Sequence, residues 1–327
     1  MSTTLIFKKP KLKDGYKLVE YDNNLEIHYK GEEFVISGEG EDLSQIKVLL
    51  NLLNGENSLE MIQEKLPGWT IEDVNDVLIM LDQAWLLSEG ESTEFNGCSG
   101  LELILECEDL QRHLERQKGE TKITSALVSG NADKRLLYGF AFEYYHVTSR
   151  AHGSIAPALS YLYPRQRKST LRKFFVEEYR HDDLIMKSLM AVGFSEAEIV
   201  NSVSLPYTNA VCNLLSAFAN QDPLSFMAVL FIFEGKPWEE DIYIKSLEQY
   251  DVPDDFVKYQ RIHSEINQKG EHGLVSRELF KTIDYISPED KIRILKNIGI
   301  MMDTLFRMYD SIYDYYQNPS NPLPRLI

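Results

Sequence analysis

Histidine is scarce in this chain of 327 residues, and four of its seven histidines, His146, His181, His263 and His272, sit beside carboxylates on predicted helices. Three groupings stand out: Glu143-Tyr-Tyr-His146, Glu177-Glu178-Tyr-Arg-His181, and His263-Ser-Glu-Ile-Asn267 running on to Glu271-His272-Gly273. Helical residues three or four apart turn through about 300° or 400°. Glu178 and His181 are therefore expected on nearly one face, as are His263 and Asn267, and two such side chains can reach one cation. Carboxylate plus imidazole on facing helices of a bundle is the donor set of non-haem iron or manganese sites, and without a thiolate a structural zinc site is the weaker expectation. Glu234 ends the apolar run FMAVLFIF. A glutamate there is costly to bury unless paired or bound to a cation, and equally at home at a wet helix end. A single Glu-x-x-His is ordinarily a solvated face or an intrahelical contact; several together shift the balance toward chemistry.

These groups need helices to hold them, and the apolar pattern supplies helices over most of the chain. From about residue 101 onward the spacing predicts helices over 101–118, 134–150, 154–163, 166–192, 207–219, 224–234, 239–249, 254–283 and 288–317, with breaks at Gly193, Pro206, Pro223, Gly235, Pro237, Pro253 and Pro288. The terminal stripe Phe306, Met308, Tyr309, Ile312, Tyr313, Tyr316 is read as core-facing, and the acidic starts Glu239-Glu240-Asp241 and Asp254-Asp255 as first turns favoured by the helix dipole. The first 90 residues differ. Tyr16 and Leu18, then Leu25, Ile27 and Tyr29, then Phe34 and Ile36 alternate with polar residues, with turns at Asp22-Asn23-Asn24 and Lys30-Gly31-Glu32. Three helices follow: one from Asp42 to Leu53, one capped by Ser58, and one opened by Thr70 and Asp73 and carrying Val74, Val77, Leu78, Leu81, Trp85 and Leu86 on its buried face. The expected organisation is a small α+β domain over 1–90, a linker over 91–100 and an all-helical domain over 101–327.

Composition narrows the function classes. A formal charge of −17 repels phosphate backbones, and the basic run Arg165-Gln-Arg167-Lys168 is too short to offset it, so nucleic acid is not an expected partner. Cys98, Cys107 and Cys212 form no CxxC or Cys/His cluster and read as reduced thiols. No apolar stretch is long enough to span a membrane and the start has no signal-peptide core, so a cytoplasmic protein with no membrane partner is expected.

The order Glu178, His181, then Glu234 after 56 residues and His263 after 29 more resembles the haem-oxygenase-like metal-oxidase superfamily, in the branch of non-haem diiron oxidases and oxygenases related to thiaminase-II-like proteins and pyrroloquinoline-quinone synthase. In that family one helix carries a glutamate and a histidine in a segment like EE…H..L…L…G, matched here by Glu177, Glu178, His181, Leu184, Leu189 and Gly193. A later helix end supplies one glutamate, matched by Glu234 with Pro237 beyond it. The last core helix supplies His-x-x-x-Asp and a second histidine, matched by His263, Asn267 and His272. The resemblance covers roughly residues 120–317. Two positions depart from it. Asn267 stands where the family has an aspartate, and an amide is a poorer ligand for iron. His272 lies nine residues after His263, about 900° round an ideal helix and so on the opposite face, unless a bulge or a break at Gly270 returns it.

The resemblance implies a mainly α chain, a haem-oxygenase-like helical bundle preceded by a winged-helix-like domain. It implies metal ligands Glu178, His181, Glu234, His263, Asn267 and His272 around one or two iron ions, with manganese as the other candidate, and Glu143, His146 and Glu177 as catalytic groups of the pocket. The N-terminal domain resembles the winged-helix-like leader-peptide-binding module of clusters that make modified peptides, carried by the hairpin, Leu49-Leu50-Asn51-Leu52-Leu53-Asn54-Gly55, Ser58-Leu59-Glu60-Met61-Ile62 and Leu81 to Leu87. Such modules add a peptide as a strand to a sheet edge. DNA-binding winged helices share the pattern, but Glu72, Asp73 and Asp76 would repel phosphates. The expected function is an iron oxidase or oxygenase that activates dioxygen on a peptide or amino-acid-derived substrate in peptide modification or natural-product biosynthesis. The rivals are a metal-free oxidase like pyrroloquinoline-quinone synthase and a non-catalytic peptide-binding scaffold; the sequence leaves open whether the chain forms a homodimer.

Overall fold

The computed structural model describes residues 6–21, 24–37, 41–90, 97–161, 163–234, 241–269 and 272–326, without the side chains of residues 41, 42 and 272. Chain contacts divide it into two units, one of Met1–Asp109 with Ile283–Lys291 and one of Leu110–Thr282 with Ile292–Ile327.

In the first unit the period-two pattern folds as β2 (Lys17–Tyr21), β3 (Asn24–Tyr29) and β4 (Glu32–Ser37), an antiparallel sheet in the order β2-β3-β4; β1 (Pro10–Leu12) precedes them. Leu25, Ile27 and Tyr29 of β3 are buried. Tyr29 pairs with Glu32, and the two residues between them, Lys30 and Gly31, have φ of 50° and 86°, the left-handed pair that a two-residue hairpin requires. The turn expected at Asp22-Asn23-Asn24 falls largely on residues 22 and 23, outside the described residues. Helices α1 (Glu41–Leu52), α2 (Leu59–Glu64) and α3 (Ile71–Gln83) follow. Ser58 accepts from Met61 N–H, and Thr70 and Asp73 form a reciprocal capping box.

Two points of this unit differ from the sequence reading. α3 stops at Gln83, and Trp85 takes a φ of 60° before β5 (Leu87–Glu89), so Leu86 is buried beyond the helix rather than on its face. β5 pairs with β1, Pro10 opposite Glu89, while the Glu89 carboxylate accepts from the N–H groups of Lys8 and Lys9 at 3.1 and 2.8 Å. Of the stretch 91–100, residues 91–96 lie outside the described residues, and Cys98 bridges to Ile286.

Next come α4 (Gly100–Lys118), α5 (Lys122–Val128), α6 (Lys134–Ile155), α7 (Arg165–Glu178), α8 (Asp182–Ala191), α9 (Glu196–Val200), α10 (Pro206–Gln221), α11 (Pro223–Phe233), α12 (Ile242–Leu247), α13 (Asp254–Lys269), α14 (Val275–Phe280) and α15 (Pro288–Tyr316), with single 3-10 turns at Ala156–Ser160 and His272–Leu274. Arg150 of α6 donates to Asn209 and Asn213 of α10 at 2.6 Å, and Ser154 bonds Ser216 at 2.8 Å. α6 and α10 thus run side by side in the same direction. α10 and α11 share Asp222 as terminus and cap; Pro223 occupies the first turn, where its missing N–H costs nothing.

Three expected helices resolve into shorter pieces. The span 154–163 is the end of α6 plus a 3-10 turn. The span 166–192 divides at Tyr179-Arg180-His181, where Arg180 has a φ of 71°; no glycine or proline announces that break. The span 254–283 divides into α13 and α14, and the break considered at Gly270 lies outside the described residues, as do Gly235, Pro237, Glu239, Glu240 and Glu271. α5 and α9, each too short to show a period, were not expected. Tyr316 of α15 lies against α6, where a Cβ on Gly139 would stand 2.2 Å from its ring. Among the described residues no helix is long and apolar enough to cross a membrane.

Candidate metal centre

Glu178 is the last residue of α7. The chain leaves the helix through Tyr179 in extended backbone and turns at Arg180, whose guanidinium grips Asp183, and His181 then starts α8. The single helical face expected for Glu178 and His181 is therefore replaced by a corner, which still brings Glu178 Oε2 to 3.5 Å from His181 Nδ1. The His181 ring meets the ring of His263, from α13, at a centroid distance of 4.9 Å and an angle of 78°. His263 Nδ1 shares a hydrogen bond with the Tyr144 hydroxyl of α6 at 3.3 Å. Glu234 caps the end of α11, and its Oε2 accepts from Asn267 Nδ2 at 2.9 Å. Relative exposures of 5% for Glu178, 5% for His181, 8% for Glu234 and 3% for His263 exclude the wet helix end considered for Glu234 and make these groups costly without compensating partners.

A cavity of about 110 Å³ is lined by Glu178, Glu234, His263, Asn267, Tyr144 and Glu143 among others. Glu143 belongs to its wall: the carboxylate accepts from Leu205 N–H at 2.9 Å and from the Tyr316 hydroxyl at 2.8 Å. Burial pushes its carboxyl above the ordinary value, against the pull of those hydrogen bonds. Burial also raises Tyr144 well above a normal phenol, with Glu234, Asp241 and Glu178 adding to the effect, so Tyr144 keeps its proton. A bond through Nδ1 reserves Nε2 of His263 as the nitrogen that can ligate.

The structure brings Glu178, His181, Glu234, His263 and Asn267 together, and it sets Glu177 and His146 elsewhere. Glu177 is partly exposed, 3.6 Å from Lys173, and does not line the cavity. His146 turns its Nε2 to Ser202 at 3.0 Å, and burial, with Arg150 and Arg325 nearby, lowers its pKa to about 4. The backbone of His272 lies in a 3-10 turn and its side chain is outside the described residues. Sequence reasoning passed over Tyr144, whose neighbours Glu143 and His146 took the attention, and the Leu205 and Tyr316 anchors of Glu143. The α15 stripe read as core is core and more, since Met308, Tyr309 and Ile312 also line the cavity.

By donor chemistry these residues fit iron: two carboxylates and two imidazoles, all buried, with Asn267 Oδ1 buried and accepting no hydrogen bond. Among the described residues no three His, Cys, Asp or Glu side chains are yet drawn into a ligating group.

Helices packed around such a cavity define a haem-oxygenase-like fold. A domain of unknown function with that fold from Shewanella denitrificans is similar over 68% of this chain and 95% of its own, at 18% identity and a TM-score of 0.55. A TenA homologue from Pseudomonas syringae pv. tomato is similar over 65% and 91%, at 11% identity and a TM-score of 0.49. No curated protein matches the chain in sequence. The model of the family described as iron-containing redox enzymes matches residues 139–305, which hold every donor named above. The chain belongs to this family.

Proposed function

We propose that the helical unit is an iron-dependent oxidase or oxygenase that activates dioxygen, with Glu178, His181, Glu234 and His263 as the residues that hold the ion and Asn267 beside them. The observation that carries this reading is the convergence of buried Glu178, Glu234 and His263 at the wall of one cavity, with buried His181 against Glu178 and His263, in a chain of this family. Iron, when bound, supplies the one-electron chemistry with dioxygen that protein side chains lack. The chain's own residues do the rest. Tyr144 orients His263, Asn267 holds the Glu234 carboxylate, and Val147, Leu215 and Met308 keep the cavity dry.

The substrate belongs, on this reading, to the peptide or amino-acid-derived class, and the N-terminal unit would take an extended peptide at β2 or β4, the two edges of its sheet. The test is metal analysis of protein loaded with iron under anaerobic conditions, beside Glu178→Ala and His263→Ala. Both variants are expected to lose most of the bound iron; unchanged iron in both would overturn the proposal. The metal-free rival predicts oxygen consumption insensitive to chelators.

A further inference from the structure

On α6 the side chains that line the cavity form one stripe: Tyr144, then Val147 and Thr148, then Ala151, then Ser154 and Ile155. Tyr144 bonds His263, so the stripe starts at the donors. At about 1.5 Å per residue, Ala151 and Ile155 lie roughly 10 and 16 Å further along the helix. α10 runs beside this stretch, tied to it by the bond between Ser154 and Ser216, and adds Val211 and Leu215 to the same wall. Three polar side chains border this arm of the cavity, and each directs its proton elsewhere. Thr148 donates to the carbonyls of Tyr144 and Tyr145 at 3.1 and 3.2 Å. Ser154 bonds Ser216, which donates to the Cys212 carbonyl at 2.9 Å, and the Cys212 thiol points to the His146 carbonyl at 3.9 Å. Among the described lining residues, none that α6 contributes beyond Tyr144 and none from α10 is charged. A water needs about two to four polar partners, so an arm walled in this way stays dry and accepts an apolar ligand. The reaction proposed above joins two reactants. A peptide or amino-acid derivative carries amide or charged groups that are costly to bury against such a wall. Dioxygen has none, and its transfer from water to an apolar wall is favourable.

We propose that the arm of the cavity between α6 and α10, lined by Val147, Ala151, Ile155, Val211 and Leu215, is a binding site for dioxygen. The inference rests on the oxidase reading and assigns the place where its gaseous reactant is held. The test is methyl-resolved NMR of the full-length chain, freed of metal so that no bound ion contributes paramagnetism, recorded under argon and under oxygen. Dioxygen is paramagnetic and speeds the relaxation of the methyl groups it touches. The methyls of Val147, Ala151 and Leu215 are expected to gain about threefold or more over those of Ile185 and Ile298, which are fully buried in the same unit and do not line the cavity. Ala151→Phe, which fills the arm, is expected to bring Val147 and Leu215 down to the level of Ile185 while the melting temperature holds. If Ala151→Phe does not fold, Val147→Phe takes its place, read at Leu215. Equal enhancement at lining and comparison methyls of the wild type would overturn the inference, and so would an excess that survives in the folded variant. Iron content is measured on separately loaded protein. Iron uptake without the oxygen effect sinks this inference alone; the oxygen effect without iron uptake sinks the iron reading alone.

Discussion

Glu143 and Glu178 are both glutamates buried in the wall of one cavity, at 1% and 5% exposure, yet they are held in opposite ways. Glu143 sits in mid-helix, with one oxygen on a backbone N–H and the other on a phenol. Glu178 sits at a helix end, 3.5 Å from the His181 imidazole. A carboxylate with hydrogen-bond donors on both oxygens is fixed by the scaffold, whereas Glu178 is placed beside an imidazole by a corner of the chain.

Replacing each by leucine separates the two most widely. Glu143→Leu leaves the Leu205 N–H and the Tyr316 hydroxyl without an acceptor, at a cost of about 2–4 kcal/mol, read as a melting temperature lower by roughly 5–10 °C with iron binding retained. Glu178→Leu is expected to lose most of the bound iron on anaerobic loading, the readout that Glu143→Leu leaves in place. Iron retained in Glu178→Leu, or lost equally in both variants, would erase the distinction.

Acid titration sharpens it next. His146, bonded to Ser202, has its pKa lowered to about 4 from an ordinary 6.5. Between those values the unfolded chain takes up a proton that the folded chain does not, so stability is present above pH 6.5 and is lost as pH falls toward 4, by at most about 3 kcal/mol. Glu143 runs the other way: its raised pKa means that the unfolded chain ionises first as pH rises above 4.5, which lowers stability through that window. Denaturation of His146→Gln and Glu143→Gln across pH 4–7 is expected to remove these two opposite slopes from the wild-type curve.

The smallest effect tests orientation. Tyr144→Phe removes the bond to His263 Nδ1 and is expected to weaken iron binding by about tenfold, with a matching change in the 15N shifts of the His263 ring and little change in melting temperature. A variant with wild-type shifts and affinity would reduce Tyr144 to packing.

How far the sequence carried these points depended on range. The β3 alternation, the Ser58 and Thr70 caps and the helical stripes are local, and each was legible from residues within one or two turns. The donors were legible as types, because a carboxylate beside a histidine is rare enough to notice in a chain with seven histidines. Their arrangement was not. The corner at Arg180 is a left-handed φ on a residue that carries no sign of it, and β1 and β5 are three-residue strands paired across most of the first unit, too short to alternate. The Glu143 anchor joins three segments, one of them 173 positions away, and no spacing rule reaches that far.

Gly139 stands one turn before Glu143 on α6, and the ring of Tyr316 occupies the space where a side chain at 139 would begin. One methyl group there would lift the phenol away from the carboxylate it serves. The polarity of the cavity wall is thus set by a position that never touches the cavity, and Gly139→Ala offers a remote handle on Glu143 that leaves every donor in place.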